Sequence, residues 1–184
     1  MKTYAVLLRG INVGGKNKVP MAELGPCLEG LGFANVATYI ASGNVILDSE
    51  RDPEDVRRRI EAALPGQFRL DVELIKVLVL SCAELQAVVE AKPAGFGEQP
   101  GVFHCDAIFL MDVGSEEAMA AFDPREGVDR VWPGKGVIYS ERLSAERTKS
   151  RLGKIASSPV YRRMTIRNWN TTVRLAELCR QRGG

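Results

Sequence analysis

The sequence predicts an α+β protein of two packed lobes, each of the βαββαβ type, with mixed, mainly antiparallel sheets. Two observations carry this. Over the first 80 residues, β-rich runs alternate with apolar residues at helical spacing. After a loop rich in proline and glycine, a similar element order starts again without a sequence repeat. The composition agrees: 184 residues, 45% apolar and 26% charged, excludes disorder, collagen and a disulfide scaffold. A chain of this length buries roughly 70% of its unfolded surface, so it needs no metal staple.

Thr3 to Leu8 reads as a short strand, followed by the glycine-rich segment Gly10 to Lys18. Pro20 suits the first turn of a helix, and Leu24, Leu28 and Leu31 keep helical spacing until Gly32 stops them. Val36 to Ile40 and Val45 to Leu47 form a hairpin through Ala41, Ser42, Gly43 and Asn44. Asp52 and Pro53 open a second helix with Val56, Ile60, Ala63 and Leu64 on its apolar side, and Val72 to Leu80 returns as a strand. This order is the split βαβ, ferredoxin-like arrangement.

A third helix over about Ala83 to Ala91 leads into the loop Pro93 to Gly101, the natural boundary between a lobe of residues 1–92 and one of 102–184. The second lobe starts with a strand, Val102 to Met111, and a short helix near Glu116 to Phe122. Arg130 to Trp132 and Val137 to Tyr139 form a hairpin turning through Pro133 to Gly136. Ser144 caps a helix to about Ala156, Thr165 to Arg167 is a short strand, and a last helix runs to Arg182 before Gly183.

Charge is divided unevenly. Residues 1–141 hold 14 Lys and Arg against 21 Asp and Glu, while residues 142–184 hold 11 against Glu146 and Glu177 alone, so the last quarter is a basic block. Such asymmetry marks an anion-facing surface, or else a block lying against the acidic remainder. Cys27, Cys82, Cys105 and Cys179 are widely spaced, with no CxxC pair and a single histidine in the chain, and read as small core residues. No metal site is expected. The apolar runs are far shorter than the roughly 20 residues of a membrane helix, and Met1 starts no signal segment, so a cytoplasmic protein with no membrane partner is expected.

Gly10-Ile11-Asn12-Val13-Gly14-Gly15-Lys16-Asn17 approaches the phosphate-loop spacing but fails at its end, since Asn17 has no hydroxyl for Mg²⁺ and Pro20 falls inside the helix that should follow. What survives is an anion-binding nest of backbone N–H groups beside Arg9, Lys16 and Lys18, or simply a tight loop in which the glycines take positive φ. In the helix after Ser144, Arg147, Arg151 and Lys154 would share one stripe and call for a counter-charge. Asn168, Asn170 and Thr171 offer more caps than one helix start needs, and Trp169 either fills space between the lobes or presents a ring face. His104 reads as structural, and there is no HExxH, GxSxG or spaced carboxylate pair.

The runs Leu7 to Asn17, Leu31-Gly32-Phe33, Tyr39 with Ser42 to Val45, Lys149 to Leu152 and Thr165 to Thr171 resemble the bacterial domain of unknown function 1697 along the whole chain. The resemblance implies a small cytosolic α+β protein of two ferredoxin-like lobes, and it brings no reaction, cofactor or catalytic set. Ala41 stands where that family usually has Gln, and Lys92-Pro93-Ala94 replaces its usual Asn-Pro-Phe.

The expected role is binding of an anionic, phosphate-bearing ligand, a small molecule or a nucleic acid, in a cleft between lobes. Arg9, Asn12, Gly14, Gly15, Lys16 and Asn17 would form one wall, Ser42, Gly43 and Asn44 the adjoining hairpin, and Lys149, Arg151, Arg167, Asn168, Trp169 and Asn170 the other. The alternatives are an enzyme acting on a small phosphorylated or nucleotide-like substrate and a non-enzymatic protein-interaction module. No cofactor is expected.

Overall fold

The structure, a computed structural model, describes residues 1–182 as two compact units, Met1–Gln86 with the chain from Arg174 on, and Ala87–Val173. The first unit contains β1 (Lys2–Leu8), α1 (Met21–Gly30), β2 (Ala34–Tyr39), β3 (Asn44–Ser49), α2 (Pro53–Gln67) and β4 (Val77–Ser81). Its sheet has the order β2-β3-β1-β4, antiparallel throughout, with Ala5 of β1 opposite Ile46 and Leu80. Tyr4, Val6 and Leu8 leave the same side of β1 by strand alternation. They pack with Leu24 and Leu28 of α1 and Val56, Ile60 and Leu64 of α2 in one core. Each such aliphatic side chain contributes about 1.5–3 kcal/mol on burial.

Local chemistry sets the helix ends. Asp52 caps α2 by accepting the Asp55 N–H at 2.8 Å, with Pro53 at the first helical position. Pro20 stands just before α1 rather than inside its first turn. Gly32, at φ +87°, ends that helix as the Phe33 N–H returns to the Leu28 carbonyl. The strand expected from Val72 begins only at Val77, and Asp71 ahead of it is tied to the glycine-rich loop.

α3 (Cys82–Glu90) leads into the second sheet, made of β5 (Phe103–Leu110), β6 (Asp129–Gly134), β7 (Val137–Leu143) and β8 (Met164–Asn168). The one-turn α4 (Ser115–Met119) follows β5, and α5 (Trp169–Arg182) ends the described chain; the expected stop at Gly183 lies outside the described residues. The sheet order is β6-β7-β5-β8, again antiparallel, the arrangement of the first sheet repeated. The fold is therefore α+β, with two ferredoxin-like sheets.

Two further features, a disulfide and the segment between β7 and β8, depart from what the sequence predicts. Residues 93–101 belong to the second unit, where Phe96 is fully buried, while the end of α5 belongs to the first. A disulfide between Cys82 and Cys179 and hydrogen bonding of the Arg182 guanidinium to the Asn35 and Ile46 carbonyls hold that end. Thus two of the four cysteines are paired rather than free; Cys27 and Cys105 are free thiols. Between β7 and β8, three short 3-10 turns over Ser144–Lys149, Leu152–Ser157 and Pro159–Arg163 replace the expected helix. Ser150 is extended (ψ 142°), and the Arg151 N–H is drawn to Asp129 Oδ2 at 2.8 Å, so the continuous stripe of Arg147, Arg151 and Lys154 does not form. Among the described residues, no helix is long and apolar enough to cross a membrane.

Candidate functional site

The glycine-rich loop is built by its own asparagines. Asn12 (φ +54°) accepts the Val19 N–H at 2.8 Å and donates to the carbonyls of Val19 and Ala41. Asn17 (φ +46°) donates its side-chain amide to the Gly10 carbonyl and exchanges two bonds with Asp71. Gly14 and Gly15, at φ +59° and +77°, turn a two-residue hairpin between Val13 and Lys16. Positive φ at both central positions is the signature of a type I′ turn, which glycine adopts without strain. Ser42 and Asn44 bond to each other, and Asn44 also donates to the Tyr39 carbonyl. Gly43 lies so close to Ile11 that a Cβ would stand 2.9 Å from it. The structure thus joins Asn12, the glycine loop and the 41–44 turn at one end of the first sheet, with Lys16 exposed and Arg9 half-buried at that end.

The C-terminal candidates separate into distinct places within the second unit. Lys149 pairs with Glu146 at 2.7 Å, and Arg151 and Lys154 both reach Asp123. Arg167 is buried: its guanidinium donates to Thr165 Oγ1 and the Ile166 carbonyl, and desolvation pushes its pKa down to about 10. Trp169 meets Phe96 edge to face at 5.0 Å and Tyr139 at 6.1 Å, so most of its ring is core of the second unit.

Asn168, Trp169 and Asn170 nevertheless border one recess of about 230 Å³. Strand pairing explains it. β8 leaves β5 after Asn168, opposite Asp106, and turns directly into α5, so residues 103–105 of β5 lie beyond the paired region on that side. Asn168 caps α5 by accepting the Asn170 N–H at 3.0 Å. The remaining walls include His104, Cys105, Ser144 and Gly97. Burial is the main cause that pushes the Cys105 thiol up to about 11; the Gly97 backbone bond opposes this and the Glu141 charge adds to it. The Cys105 thiol is therefore neutral at physiological pH.

His104 Nε2 lies 3.1 Å from Asp106 Oδ2, since residues two apart on a strand share a face. Desolvation raises the Asp106 carboxyl above the usual range, against the lowering charges of His104 and Arg142. Asp106 also borders a second recess, of about 150 Å³, between β5, β7 and the 3-10 turns. The His-x-Asp spacing on a strand was the available signal for this pair. For Gly97 and Ser144, brought in from separate loops, the sequence holds no comparable signal. Among the described residues, no group of three or more His, Cys, Asp or Glu could hold a metal ion.

The fold defines an α+β protein built on two four-stranded antiparallel sheets. The chain belongs to the family described as protein of unknown function DUF1697, which it matches over residues 1–139. That span holds the glycine-rich signature and ends within β7, before the signature around Thr165 to Thr171. A solved structure, that of the conserved bacterial protein SP0830 from Streptococcus pneumoniae, is 28% identical and superposes with a TM-score of 0.81, over 97% of this chain and 98% of that one. No curated protein matches the sequence.

Proposed function

We propose that this protein binds a small anionic, phosphate-bearing ligand in the recess at the start of α5. The supporting observation is the convergence of Asn168, Trp169 and Asn170 with His104 and Ser144 around one recess. The N-terminus of a helix of 14 residues carries a partial positive charge of roughly +0.5, and backbone N–H groups there favour anions. Ser144 and Asn170 add polar groups able to meet phosphate oxygens, and the protonated Cys105 adds no opposing charge. A small ligand fits better than a polynucleotide. The cationic stripe is absent, Arg151, Lys154 and Lys149 face carboxylates, and Trp169 is packed against Phe96.

The His104–Asp106 pair favours a second reading, an enzyme acting on a small phosphorylated substrate with His104 as acid or base. Titration of inorganic phosphate and nucleoside monophosphates, followed by thermal shift and Trp169 fluorescence, separates the outcomes. The binding reading expects saturable stabilisation, weakened by at least about tenfold in Asn170→Asp and His104→Ala. Release of phosphate that stops in His104→Gln supports the enzyme. Absence of any response across nucleotides and sugar phosphates, or an undiminished response in both variants, overturns both readings.

A further inference from the structure

We propose that Cys82 is a reversible thiol-modification site whose reagent is a low-molecular-weight disulfide, and that its bond to Cys179 acts as a redox latch on the end of α5. The two cysteines are 97 residues apart and are joined in the structure. They differ in access: Cys179 is fully buried, whereas Cys82 is half-buried at the start of α3. The helix start is well built, since the Glu84 N–H donates to Ser81 Oγ at 3.2 Å and the Ser81 N–H donates to Glu84 Oε2 at 2.8 Å, a reciprocal capping box. Cys82 is the first residue inside that capped turn, at the positive end of the helix, where a thiolate is favoured. A partly exposed thiol at a helix start with a buried partner in bonding range is the arrangement of an attacking and a resolving cysteine.

The chemistry closes without a further reactant. The Cys82 thiolate attacks one sulfur of the reagent RS–SR, its S–S bond breaks and RS⁻ leaves. The Cys179 thiolate then attacks Cys82 Sγ and expels the second RS⁻. The two protein sulfurs lose two electrons, the reagent gains them, and the two thiol protons finish on two RSH. Excess RSH runs the sequence backwards, entering again at Cys82.

The latch has a defined target. α5 joins the first unit from Arg174 onward, and Cys179 lies in that part. In the native, full-length protein, glutathione mixtures of increasing oxidation, quenched with N-ethylmaleimide and read by intact mass and peptide mapping, should convert Cys82 and Cys179 together from two adducts to none, reversibly. Cys179→Ser should accumulate a glutathione mixed disulfide at Cys82, whereas Cys82→Ser should leave Cys179 unmodified. Hydrogen exchange in residues 174–182 should speed up on reduction. Failure of native glutathione to open the bond, mixed disulfide at Cys179 in Cys82→Ser, or unchanged exchange on reduction would each overturn the proposal. Cys82→Ala with Cys179→Ala, checked by circular dichroism, separates loss of the latch from loss of the fold, because it should match the reduced protein in exchange.

Discussion

Asn17 and Asp71, 54 residues apart, exchange two hydrogen bonds: the Asn17 N–H donates to Asp71 Oδ2 at 2.6 Å, and the Asp71 N–H donates to Asn17 Oδ1 at 2.9 Å. The pair fastens the loop between β1 and α1 to the one between α2 and β4. It also explains why an asparagine ends the glycine-rich run. Its polar atoms serve the loop itself, including the Gly10 carbonyl, and it takes φ +46°, which Asn tolerates better than most residues.

Replacing Asn17 with Ala keeps its backbone N–H bond to Asp71 but removes the side-chain bonds with the Asp71 N–H and the Gly10 carbonyl, and it leaves a residue poorly suited to positive φ. A loss of about 2–4 kcal/mol of unfolding free energy is expected in urea at neutral pH. Asn17→Gly should lose less, since glycine restores the backbone but not the bonds. Equal losses in the two variants would show that the backbone conformation contributes nothing.

Gly97→Ala should be among the most damaging single changes in the second unit. Its φ is +76°, and a Cβ would stand 2.3 Å from the Trp169 indole, closer than any real contact. The indole is fixed by Phe96 and Tyr139, so it cannot give way cheaply. A cost above about 2 kcal/mol is expected, with a shift in tryptophan emission. A neutral result would mean that the 93–101 loop repacks freely.

Element identity was legible in the sequence where periodicity is strong. The apolar positions of α1 and α2 face the core as spaced, and Asp52 with Gly32 marks two helix ends. Residues 144–156 misled because Thr148, Leu152 and Ile155 keep a helical spacing, whereas the determining contact, Asp129 with the Arg151 N–H, is tertiary. No local pattern could pair Cys82 with Cys179 or give Asn12 and Asn17 carbonyls as partners. The start of α5 was visible from its clustered caps. The His104 pairing needed only the strand assignment, from which a same-face Asp106 follows.

Asp129 should shape the acid limb of stability. Burial acts first, raising its carboxyl, but hydrogen bonds from Ser150 and the N–H groups of Arg125 and Arg151, with the Arg142 charge, bring it below the usual range. A carboxyl lower in the folded state adds stability above its unfolded pKa, about 3.9, that is lost as pH falls through the folded value. The gap in stability between the wild type and Asp129→Ala should therefore be widest at neutral pH and shrink below about pH 4. A gap independent of pH would assign the effect of Asp129 to packing alone.

Ile40 gives a change in the opposite direction. It stands in the turn between β2 and β3 at φ +49°, a left-handed conformation disfavoured for a β-branched residue, and it is 51% exposed. The backbone penalty for a non-glycine residue there is roughly 1–2 kcal/mol, and a half-exposed side chain returns only part of that in burial. Ile40→Asn should raise the unfolding free energy by about 1 kcal/mol, because Asn enters this region readily. Ile40→Gly should gain less, since glycine also frees the unfolded chain by about 0.5–1 kcal/mol. The order Asn above Gly above Ile in denaturant midpoint tests both terms at once. If Ile proves the most stable of the three, its apolar contacts outweigh the backbone penalty and the turn is set by packing rather than by local conformation.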